Sequence, residues 1–72
     1  MKVIAVDANP IVSALLGGKS LEIFYNENFR FITTEQIIWE VKKYIPEIAE
    51  KLGMKDTKLY YVLENLPIVT LH

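Results

Sequence analysis

The sequence has no cysteine and a single histidine, His72, at its last position. Disulfides, thiolate metal sites and a His-rich zinc site are thereby excluded. No apolar run approaches the ~18 residues that cross a bilayer, so no membrane partner is expected. Asp7 and Asn9 interrupt the apolar stretch 3–12, which is unlike a secretory signal. Neither sign of charge dominates: eight basic and nine acidic residues give a net charge of −1. A strongly basic nucleic-acid binder is ruled out, although a local basic patch is not. There are no repeats, linkers or low-complexity stretches. Without cysteines or a signal, the default location is the cytoplasm.

What is present is the composition of an ordered domain, 51% hydrophobic and 24% charged. The 72 residues allow one domain. A chain of this size buries only about 60% of the surface its unfolded form exposes. Such chains usually need a staple. With disulfides excluded, helix packing, a carboxylate-bound metal or self-association remain.

Val3-Ile4-Ala5-Val6 is a β-branched apolar run, expected as a strand buried on both faces of a parallel sheet. Pro10 suits the start of a helix carrying Ile11, Val12, Ala14, Leu15 and Leu16, which Gly17-Gly18 stops. Ser20 can cap a second helix with Leu21, Phe24 and Tyr25 on one face. Phe29, Phe31 and Ile32 form a second strand, and Thr33 with Gln36 matches a capping box. The third helix runs from about Glu35 towards Leu52, with Ile37, Ile38, Val41, Tyr44, Ile45, Ile48 and Leu52 on one arc. Pro46 predicts a kink or two consecutive helices, and Gly53 the end. Asp56 or Thr57 caps a fourth helix with Leu59, Val62, Leu63 and Leu66 inward, and Ile68 to Leu71 is the last strand. The order β-α-α-β-α-α-β implies an α/β fold, a small parallel sheet with helices in two or three layers.

Three residues stand out chemically. Asp7 ends a strand of a parallel sheet, and ligands in open α/β sheets bind beyond those ends. It is equally suited to cap the following helix. Glu40 falls at the rim of the third helix's apolar arc. There it can reach a cleft, lie solvated, or pair with Lys43 at i,i+3. Trp39 lies roughly opposite the apolar arc, among Glu35, Lys42 and Lys43. An aromatic on a polar face suggests contact with another chain, or a ring lying over a lysine stem or the fourth helix. Gly18-Lys19-Ser20 is not a phosphate loop, because position 13 is Ser13 and a helix precedes it. Lys42, Lys43, Lys51, Lys55 and Lys58 are diluted by Glu47, Glu50 and Asp56, which favours a solvated face.

Val-Ile-Ala-Val-Asp-Ala-Asn-Pro-Ile-Val-Ser-Ala-Leu-Leu at 3–16 resembles the opening of PIN-domain nucleases. Phe-Ile-Thr-Thr-Glu-Gln-Ile-Ile-Trp-Glu-Val at 31–41 resembles their capped helix after strand two, and 48–71 their fourth helix and third strand. The resemblance implies hydrolysis of RNA, mostly single-stranded, by a site holding Mg²⁺ or Mn²⁺. Asp7 and Glu40 would be catalytic metal ligands, with Asn9 and Ser13 as supporting polar neighbours. Hard divalent cations prefer such oxygen donors. The family's further acidic ligands follow the third strand, whereas this sequence reaches His72 as that strand ends. The chain is therefore expected to be the N-terminal half of a PIN domain, catalytically incomplete and weak in metal binding. The family's strand one is central, so here Val3, Ile4, Ala5 and Val6 would form an open edge. Such an edge predicts a homo-oligomer, with Trp39 a further interface residue. The alternative function is a non-catalytic, self-associating α/β module.

Overall fold

Two helices separate each strand from the next, and the sheet that results is parallel throughout. The computed structural model describes residues 2–72. Its elements are β1 (Lys2–Ala5), α1 (Ala8–Leu15), α2 (Ser20–Phe24), β2 (Phe29–Thr34), α3 (Glu35–Leu52), α4 (Asp56–Asn65) and β3 (Ile68–Leu71). The strands lie in the order β1-β2-β3. The order, class and parallel pairing agree with the sequence pattern.

Strand parity sorts the sheet into two unlike faces. Ile4 pairs with Phe31, and Phe31 with Ile68, so these side chains share one face with Val6, Phe29 and Thr33. The helices pack there. Phe24 of α2 meets Phe31 edge to face, with ring centroids 5.0 Å apart. Ile11, Val41, Ile45 and Leu59 complete the core as its largest fully buried side chains. The opposite face carries Val3, Ala5, Arg30, Ile32, Thr34, Val69 and Leu71, none of them buried. The fold is thus two layers, helices on one side of a sheet whose other side is bare.

That bareness corrects the expectation of a first strand buried on both faces. All four β1 residues are exposed, Val3 at 61%. The strand ends one residue early, and Val6 faces the helices at 6% exposure. Val6 therefore belongs to the core, while Val3, Ile4 and Ala5 stay at the open edge.

Capping also differs in detail. Thr34, not Thr33, caps α3, its hydroxyl accepting from the Ile37 backbone N–H at 3.3 Å. Parity is the cause: Thr33 shares the inward face of Phe31 and is 3% exposed, so it cannot turn to the helix end. Ser20 lies inside α2, and its hydroxyl donates to Ser13 instead of capping. Asp56 is the first residue of α4, favourable to the helix dipole, with Lys55 at the cap. Pro46 does not split α3, which runs as one helix because Pro46 sits on the exposed side while Ile45, Ile48 and Ala49 are buried. Tyr25, Tyr44 and Leu52, expected inward, are exposed. Gly53 ends α3 at φ 66°, ψ 33°, a left-handed conformation that costs glycine least.

Candidate functional site

Polar groups gather at the carboxyl end of the sheet, where the chain leaves each strand. Val6 donates its N–H to the Ile32 carbonyl at 2.8 Å, extending the β1–β2 ladder. The Thr33 hydroxyl donates back to the Val6 carbonyl at 3.0 Å, a buried bond. These two bonds fix the backbone immediately before Asp7. The Asp7 backbone is extended, φ −84° and ψ 177°, and one carboxylate oxygen accepts from the Ala8 N–H at 2.8 Å. Asp7 therefore does cap α1, on an exposed side chain whose second oxygen has no hydrogen-bond partner among the described residues. The capping and ligand roles are compatible, because a carboxylate has two oxygens and several lone pairs.

Glu40 stands on α3 five residues beyond its start, about 7.5 Å along the helix axis. It is exposed and joins no ion pair among the described residues. The Lys43 ammonium takes the Trp39 ring instead, 5.4 Å from its centroid. Glu40 shares a shallow depression of about 380 Å³ with Glu35, Gln36, Trp39 and Lys43. Asp7 borders a different hollow, about 290 Å³, with Pro10, Ser20, Phe24 and Phe31. The two carboxylates thus border separate hollows that share no lining residue.

Asn9 is exposed in the first turn of α1, close in sequence to Asp7. Ser13 is committed elsewhere. Its hydroxyl accepts from Ser20 at 3.2 Å, and its carbonyl from the Gly18 N–H at 3.1 Å, closing the α1–α2 corner. A Cβ at Gly18 would meet Ser13 Oγ at 3.1 Å and the Ser13 carbonyl oxygen at 3.2 Å, so a side chain there requires a small shift of this corner.

Sequence patterns missed two features. One is the inward turn of Thr33, whose hydroxyl the capping-box pattern gives to the helix end. The other is the contact between the Glu35 carboxylate and His72 Nδ1. Register explains it: Thr34 pairs with Leu71, so the next residues, Glu35 and His72, lie side by side. Both border a groove of about 530 Å³ between α3, α4 and β3, with Trp39 on its wall.

The donors suit a hard cation in kind, since both are anionic oxygens. In number they fall short. Among the described residues no group of three or more Asp, Glu, His or Cys side chains could hold a metal ion. No helix among them is long and apolar enough to cross a membrane.

A family model described as PIN domain matches residues 5–71. That span includes β2, Asp7, Glu40 and the whole of the helical layer. No curated protein and no solved structure matches the chain significantly.

Proposed function

The chain belongs to the PIN-domain family, whose members are generally nucleases that use divalent metals, and from that premise we propose an endoribonuclease-type site for single-stranded RNA, with Asp7 and Glu40 as Mg²⁺ or Mn²⁺ ligands. The observation that carries this reading is the placement of Asp7, anchored at the end of β1 with one carboxylate oxygen free. When bound, the cation would supply an activated water and offset charge on the phosphodiester. The Ala8 N–H orients Asp7, and the Thr33–Val6 bond holds the strand end from which it projects. Trp39 shares the Glu40 depression and offers a ring on which a base can stack, with Lys43 beside it for a phosphate. Two carboxylates are a minor share of the six oxygens that Mg²⁺ takes. Weak metal binding and incomplete catalysis are therefore expected from these residues alone.

A Mn²⁺ titration followed by NMR tests this directly. Relaxation enhancement centred on Asp7 and Glu40, lost in Asp7→Asn and Glu40→Gln, is the expected result. Unperturbed signals at both residues up to millimolar Mn²⁺ would overturn the metal site. RNA cleavage that survives Asp7→Asn would belong to some other group.

The exposure of β1 favours a second reading, a non-catalytic module that self-associates. The Lys2 and Val6 N–H groups point to β2, so the Val3 and Ala5 N–H groups point away from it. A partner strand can add there, forming a homo-oligomer, with Trp39 as a further contact.

A further inference from the structure

Trp39 and Glu35 border two hollows at once, the Glu40 depression and the groove between α3, α4 and β3. The two hollows therefore adjoin across the Trp39 ring. Lys42 borders the groove and Lys43 the depression. They stand three and four residues after Trp39, the spacing that puts helix side chains side by side. Each hollow thus has one ammonium next to the same aromatic. The groove, about 530 Å³, is the size of a small-ligand site. Its floor is apolar, with Leu63 buried and Ile38 and Ile68 half-buried.

Building on the RNA reading above, we infer that this groove is a base-reading subsite. It takes the nucleotide next to the one at Glu40, and the base it selects is guanine. Proteins read single-stranded RNA by splaying bases out, stacking them on aromatic rings and bonding their Watson–Crick edges. Trp39 supplies the ring and the apolar floor covers the base. Lys42 takes this nucleotide's phosphate, and Lys43 the phosphate at the depression.

The choice of base follows from the polar groups in the groove. The Glu35 carboxylate already meets His72 Nδ1. Glu64, from α4, joins no ion pair among the described residues. An ionised carboxylate only accepts hydrogen bonds, through two oxygens. Guanine presents two adjacent donors on its Watson–Crick edge, N1–H and the 2-amino group, and can meet both oxygens at once. Cytosine and adenine offer one amino group beside a ring acceptor, which a carboxylate repels. Uracil sets one N–H between two carbonyl oxygens. Thr70, half-buried on β3, adds a hydroxyl that can donate to the guanine carbonyl.

Binding of the full chain to short single-stranded RNAs, without metal, is the test. The probes are oligouridine and the same strand with one guanine placed at each position in turn. At one position guanine should bind about tenfold tighter than uracil, with NMR shifts at Glu64 and Thr70. In Glu64→Gln that ratio should fall to near one, because an amide offers one acceptor and a donor. The ratio cancels the general effect of removing a charge. Glu47→Gln makes the same charge change outside the groove and should keep the preference. Equal affinities at every position, a ratio retained in Glu64→Gln, or no RNA bound at all overturns the inference. The outcome is independent of the Mn²⁺ titration. No base preference beside an intact Mn²⁺ response removes the groove alone, whereas guanine selection without a Mn²⁺ response removes the metal site and leaves the groove.

Discussion

Thr33 and Val6 are joined by a buried hydrogen bond, the threonine hydroxyl donating to the valine carbonyl over 3.0 Å. Both residues face the helical layer, and Asp7 is the next residue after that carbonyl. The bond thus couples the middle strand to the position of the candidate ligand. Thr33→Val keeps the shape and leaves the carbonyl without this donor, which should cost about 1–3 kcal/mol. In a domain of this size each kcal/mol lowers Tm by about 4–8 °C. Chemical denaturation should find Thr33→Ser near the natural protein and Thr33→Val well below it. Equal stabilities would remove the bond from any part in holding the strand end.

Asp7 carries two roles that substitution can separate. Asp7→Ala removes the acceptor for the Ala8 N–H and should destabilise by about 0.5–2 kcal/mol. Asp7→Asn keeps an acceptor and removes the charge. Its melting temperature should stay close to the natural protein's while its response to Mn²⁺ disappears. If Asp7→Asn melts as low as Asp7→Ala, the charge itself supports the fold, and the asparagine variant is no longer a clean probe of metal binding.

Much of this arrangement is legible in the sequence, and the misses have physical causes. β3 matches its apolar run at both ends, with Pro67 before it and the polar His72 after it. Gly53 marks the end of α3 because a left-handed residue is needed there. Two adjacent threonines made the α3 cap ambiguous. Only β2 parity decides that Thr33 turns inward and Thr34 caps, and parity depends on where the strand is paired. An apolar run says that a strand can be buried, not what covers it, so the exposure of β1 was invisible. Asp7 and Glu40 could be nominated from their motifs. Their separate hollows depend on side-chain directions that spacing does not encode.

Pro46 sits inside α3 on its exposed side and lacks the N–H that would bond the Lys42 carbonyl. Proline is about 3 kcal/mol less favourable than alanine within a helix. The stiffer unfolded chain offsets about 0.4–1 kcal/mol of that. Pro46→Ala should therefore stabilise by about 2 kcal/mol, read as a higher denaturation midpoint with an unchanged slope. A lower midpoint would show that a proline-induced bend is needed to bring both halves of α3 against the core.

Trp39 is the chain's single tryptophan, 65% exposed, with the Lys43 ammonium 5.4 Å from its ring. Its emission therefore reports on whatever covers this side of α3. Short single-stranded RNA should quench it, and Trp39→Ala should weaken binding by about 1–3 kcal/mol for the base that stacks there. The same substitution should change stability by no more than about 0.5 kcal/mol, since the ring packs on little else. Dilution separates this from contact between copies. Emission that ignores RNA but shifts on dilution would place Trp39 in an interface between copies and withdraw it from the RNA site.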